Sequence, residues 1–139
     1  SGCPLILFIA FGMYNTRIKN ATSRADWLLY NEEERDKYLN DPHIPAQITA
    51  SLMYELLSGM INCVSKKAKT ASLAPVYILS GSDDAVSEYG KNIKTTVNLM
   101  TKQGFNIKDI VIFNNMRHDI LHEKDNIKVL DYIYEAITH

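Results

Sequence analysis

Cysteine is scarce. Cys3 and Cys63 alone cannot form a disulfide framework in 139 residues, and no Cys/His spacing resembles a zinc site. A reducing cytoplasm is therefore the expected compartment. Long hydrophobic runs are missing too: the apolar stretch Pro4 to Phe11 falls short of the roughly 20 residues a bilayer span needs, and no basic segment precedes it as in a signal peptide. Neither charge sign dominates. Fifteen Lys and Arg against sixteen Asp and Glu, interspersed along the chain, leave a net charge of −1 and no basic stripe for a phosphate backbone. Nucleic acid is thus excluded as an expected partner. The six glycines form no phosphate-binding loop, and there is no internal repeat or low-complexity tract. No cofactor or metal is expected.

What is present suits one globular domain: 46% of residues are hydrophobic and 22% charged, enough apolar mass for a core. Two halves differ in pattern. Residues 1–70 read as helical. Asn31-Glu32-Glu33-Glu34 predicts an Asx-capped helix through Leu39, ended by Asn40-Asp41-Pro42. A longer helix follows, with Pro45 in its first turn, a buried stripe of Ile44, Ile48, Leu52, Leu56, Met60 and Val64, and Lys66, Lys67 and Lys69 at its end. Residues 71–139 alternate. A buried strand is expected at Val76–Leu79, a helix from about Ser87 to Lys102 stopped by Gly104, and a strand at Ile110–Phe113. A last helix is expected to turn Ile127, Leu130, Ile133, Tyr134 and Ile137 inward. Strand, helix, strand, helix with short turns implies an α/β fold with parallel strands and crossover helices.

Functional groups in such sheets collect beyond the carboxyl ends of strands. Asp83 and Asp84 follow the first strand, and His118 follows the second. With neighbouring strands, one carboxylate reaches the imidazole. It then holds the tautomer and stabilises the imidazolium formed when the ring takes a proton from a nucleophile. The other carboxylate suits backbone N–H bonds in the turn, or solvent near a helix N-terminus. A plain N-cap also explains Asp-Asp before a helix. His43, His122 and His139 read as surface or packing residues.

The segments Pro75-Val-Tyr-Ile-Leu-Ser-Gly-Ser-Asp-Asp-Ala-Val86, Tyr89-Gly-Lys91 and Met116-Arg-His-Asp-Ile-Leu-His-Glu123 resemble the C-terminal half of bacterial α/β-hydrolases of the lysophospholipase and monoacylglycerol lipase type. Phe11-Gly-Met-Tyr-Asn15, Ser23-Arg-Ala-Asp-Trp-Leu28 and Tyr38-Leu-Asn-Asp-Pro42 resemble that family's cap region. The resemblance implies a helical cap or lid over residues 1–70 and the C-terminal part of the hydrolase core over 71–139. It implies Asp84 as the triad acid, with Asp83 as the alternative, and His118 as the base. Glu123 is expected to anchor the loop leaving His118, while no part in catalysis is assigned to Arg117. Trp27, Met53, Tyr54 and Met60 suit a lid over an acyl pocket, and packing explains them equally.

Such enzymes carry their serine in a Gly-X-Ser-X-Gly elbow, and none of the six glycines frames one here. The implied protein is therefore a carboxyl-terminal portion of a serine ester hydrolase, inactive alone, with the abrupt start at Ser1-Gly2 as a cut would leave it. A lipid-like ester is the implied substrate, with peripheral membrane contact. A sheet edge without its neighbours would be covered by the missing N-terminal half, by a second copy or by a domain swap. Two other readings stand beside this one. One is a binding or scaffold module with the same fold and no chemistry. The other is a phosphate-transfer domain holding magnesium on Asp83 and Asp84, which the missing phosphate loop disfavours.

Overall fold

The computed structural model describes residues 13–44, 49–63, 65 and 74–138. The apolar run Pro4 to Phe11, the helix residues Pro45, Ile48, Val64, Lys66, Lys67 and Lys69, the expected boundary at 70/71 and His139 lie outside the described residues. In chain order the elements are α1 (Met13–Asn15), α2 (Glu32–Asn40), α3 (Ala50–Cys63), β1 (Pro75–Gly81), α4 (Ile93–Lys102), β2 (Asn106–Phe113) and α5 (Ile127–Thr138).

β1 and β2 pair in parallel, from Pro75 opposite Asn106 to Gly81 opposite Phe113, with a register shift after Val76 that leaves Lys108 as the extra residue on β2. Both strands exceed the expected apolar runs. Ladder bonds come from the backbone, so the polar stretch Asn106 to Asp109 joins the sheet despite its side chains. Val76 to Leu79 are half-buried rather than covered on both faces.

α4 begins six residues later than its apolar pattern predicts. Ser87 accepts the N–H of Gly90 and donates to the Asp84 carbonyl at 3.1 Å each. Glu88, Tyr89 and Gly90 then run at φ 53°, 58° and 80°. That left-handed stretch cannot continue into a right-handed helix, so winding starts afresh at Ile93. The expected stop does form: Gly104 at φ 92° ends α4, with Phe105 N–H on the Met100 carbonyl and Gly104 N–H on that of Thr101. Asn31 precedes α2 without capping it, because its amide donates to the His122 carbonyl instead.

The helix faces require a larger correction. Leu52, Leu56 and Met60 of α3 are exposed, and the residue α3 buries is Met53. On α5, Ile127, Leu130, Tyr134 and Ile137 are exposed, Ile133 is half-buried and Val129 is fully buried. An amphipathic stripe is covered only where a second layer reaches it. α5 instead meets the strands through Tyr132, edge-on to Tyr77 and Phe113 at 6.4 and 6.3 Å, with its hydroxyl on Asp109 at 2.6 Å.

The tightest packing lies where the strands end. Hydrogen bonding continues beyond them, Ser82 N–H to the Phe113 carbonyl and Asp83 N–H to that of Met116, both at 2.9 Å. Residues Met116 and Arg117 cross over Gly81 so closely that a Cβ there would stand 2.2 Å from both of their carbonyl oxygens. Those obstacles are backbone, so one of the two chains must shift to admit a methyl group. Gly81→Ala is expected to cost at least about 3 kcal/mol, the upper end for overpacking, and to lower the thermal midpoint followed by circular dichroism. An alanine variant melting with the parent would show that the crossing is loose.

Candidate active site

Asp84 stands at the exit of β1. Its N–H bonds the Gly81 carbonyl, its own carbonyl accepts Tyr89 N–H at 2.8 Å, and its Oδ1 accepts Val86 N–H at 2.8 Å. The side chain is buried, 8% exposed, yet faces one polar group across the sheet: His118 Nδ1 lies 3.1 Å from Oδ1. His118 follows β2 across the crossing at Gly81, and its ring is 42% exposed. The parallel ladder thus brings together the carboxylate and imidazole that the sequence separates by 34 positions.

Each group shifts the other's ionisation. Burial works against the Asp84 carboxylate, but the bonds from His118 and Val86 N–H, the His118 charge and the Ser87 hydroxyl outweigh it and hold its pKa below the ordinary value. The bond to Asp84 raises the pKa of His118; burial opposes this, and the charges of Asp84 and Asp119 add to it. With Nδ1–H donating to Asp84, Nε2 is the nitrogen left to accept a proton, and no side chain among the described residues bonds it. A buried acid and a half-open base of this kind accept, hold and return one proton.

Residues 5–125 match the family described as serine aminopeptidase, S33. The chain belongs to this family. Its fold is that of part of an α/β-hydrolase, as two solved structures show. One is a highly thermostable carboxyl esterase from Bacillus coagulans in complex with glycerol, with TM-score 0.78 and 22% identity over 99% of this chain. The other is a lipase in its open form, with TM-score 0.79 and 14% identity over 96% of this chain. This chain spans 44% of the length of each. No curated protein matches.

In this S33-family chain Asp83 and Asp84 part company. The backbone N–H falls to Asp84, and Asp83 instead accepts the Tyr30 hydroxyl at 2.7 Å and that of Ser82 at 3.0 Å. Among the described residues no group of three or more His, Cys, Asp or Glu side chains is placed to hold a metal ion. His43 and His122 are exposed and pair with Asp41 and Asp119.

Glu123 is 3% exposed and ties the His118 loop to residues 30 and 31, accepting Arg117 N–H and Tyr30 N–H at 2.9 Å and Asn31 N–H at 3.2 Å. The sequence did not reveal the neighbours that complete this union. The buried Arg117 guanidinium donates to the Asp26 and Leu29 carbonyls and lies 3.8 Å from the centre of the Tyr30 ring. Asp26 gathers the N–H groups and hydroxyls of Thr22 and Ser23 and pairs with Arg35 of α2 at 3.3 Å. Ser and Thr three and four residues before an Asp are the available signal for that turn, though not for its ion pair. Trp27 sits against His118 itself, ring centroids 5.4 Å apart.

Two expectations follow. His118 gains affinity for its proton on folding, so its share of stability is full below 6.5 and is lost as pH rises through the folded value. Asp84 loses affinity, so its share is present above 3.8 and is lost as pH falls through the folded value. Asp84→Asn should therefore show its largest stability deficit between pH 3.8 and 6.5, narrowing on either side, and should lower the His118 midpoint in an NMR titration. A deficit independent of pH would dismiss the contact. Glu123→Ala strips an acceptor from three backbone N–H groups, and urea denaturation should register a loss on the order of 2–3 kcal/mol.

Proposed function

We propose that this chain supplies the acid and base of a Ser-His-Asp triad in a carboxylic-ester hydrolase of the lysophospholipase or monoacylglycerol lipase type. The observation that carries the reading is the 3.1 Å contact between Asp84 and His118 at the carboxyl ends of two paired parallel strands. The esterase and lipase structures that share the fold support it. The serine comes from outside these 139 residues, since no Gly-X-Ser-X-Gly is present among them.

In this mechanism His118 Nε2 takes the serine proton as the oxygen attacks the ester carbonyl. Asp84 stays ionised and stabilises the imidazolium through Nδ1–H. The imidazolium then protonates the departing alcohol, and the cycle repeats with water to release the acid. The exposed Leu52, Leu56, Leu57 and Met60 of α3 serve as a lid over the acyl chain. Leu130, Tyr134 and Ile137 of α5, with Ile110 and Ile112 of β2, are covered by the rest of the enzyme or by a second copy. The exposed free thiol of Cys63 suits a reducing cytoplasm. The absent elbow also favours a second reading, a binding module without chemistry.

The test is labelling by a fluorophosphonate probe and turnover of a monoacylglycerol and a lysophospholipid by the gene product that includes a serine elbow. Labelling and ester turnover are expected, with Asp84→Asn and His118→Ala each lowering kcat on the order of 10⁴-fold. A product that never labels supports the binding module, and cleavage of aminoacyl anilides in place of esters overturns the substrate class.

A further inference from the structure

We propose that Trp27 is a positioning residue for His118, its indole flanking the imidazole and holding the ring in the orientation that places Nδ1 on Asp84. The inference deepens the acid–base reading above and rests on it. The two rings lie 5.4 Å apart at 39°, and Tyr14 backs the indole on a second side at 5.4 Å and 42°. Among the described residues these rings form an aromatic row that ends at the base.

The row is braced at both ends. Asn15 accepts the Trp27 backbone N–H at 3.1 Å while its amide donates to the Ser23 carbonyl at 2.7 Å. Next to the indole, the Leu28 carbonyl accepts Asp119 N–H at 2.8 Å, so Trp27 and His118 belong to segments bonded directly to each other. A half-open imidazole held by one hydrogen bond can turn about its own side-chain axis and exchange Nδ1 for a carbon. A large flat group against it removes that freedom. The indole also favours the charged ring, because an aromatic π-face attracts a cation.

Among the described residues, few charged groups stand beside His118. Asp84 faces it from the β1 exit and Asp119 from its own loop, Arg117 is turned into the Asp26 and Leu29 carbonyls, and Trp27 is what the 22–31 segment contributes. An effect of Trp27 on the titration of His118 is therefore separable from the two carboxylates by substitution.

The experiment follows the imidazole nitrogens of His118, assigned with His118→Gln, by NMR across the neutral pH range in the full protein and in Trp27→Phe and Trp27→Ala. The phenyl variant should keep the Nδ1–H tautomer. The alanine variant should mix tautomers and titrate at lower pH. Trp27 is the chain's single tryptophan, so its emission in the unsubstituted chain should also rise as His118 loses its proton and cease to do so in His118→Gln, a readout that needs no change at Trp27. An alanine variant with the parent tautomer and midpoint, or an emission blind to His118, overturns the proposal. Neither measurement uses ester turnover, so failure of the hydrolase reading would appear in the labelling experiment and not here.

Discussion

The whole site depends on a backbone crossing at Gly81. Two parallel strands end side by side, and the chain leaving β2 passes over the last residue of β1 at a distance no side chain would permit. The strand ladder carries on through Ser82 and Asp83 to the Phe113 and Met116 carbonyls, so the loops bearing Asp84 and His118 are extensions of the sheet. A carboxylate and an imidazole on independent loops would pay the entropy of finding each other. Here the ladder has already met most of that cost.

On this base a second layer is fastened by buried polar groups. Glu123 and Arg117 join the 22–31 segment to the His118 loop through backbone partners, the Asp26 carbonyl among them, while the Asp26 carboxylate fastens its own turn to Arg35. Apolar packing alone would leave that segment free to slide, whereas a carboxylate shared among three N–H groups has one good position. The union sets Trp27 beside His118 and Tyr30 beside Asp83. Burial is therefore concentrated around the candidate site, at Ala25, Leu29, Ala85 and Met116, while the outer faces of α3 and α5 stay open.

The contrast between those regions explains which expectations matched the structure. The turn at Gly104, the pairing of two strands and the meeting of a carboxylate from the Asp83-Asp84 pair with His118 follow from residues whose chemistry leaves few alternatives. The stripes of α3 and α5 failed because an apolar period states which face seeks cover and says nothing of whether cover is there. The start of α4 failed because the Ser87 hydroxyl and three left-handed residues, a local competition, overrode a helical pattern.

By itself the sequence determined the class of fold, the order of its strands and helices, and that one of two adjacent aspartates at the exit of the first strand would face the histidine after the second. These are consequences of periodicity and of side-chain chemistry, which act at short range. Tertiary structure alone decided that Asp84 takes the histidine while Asp83 takes Tyr30, that Glu123 clamps residues 30 and 31, and that an indole lies against the base. Those choices turn on distances between segments far apart in the chain, and no local pattern records them.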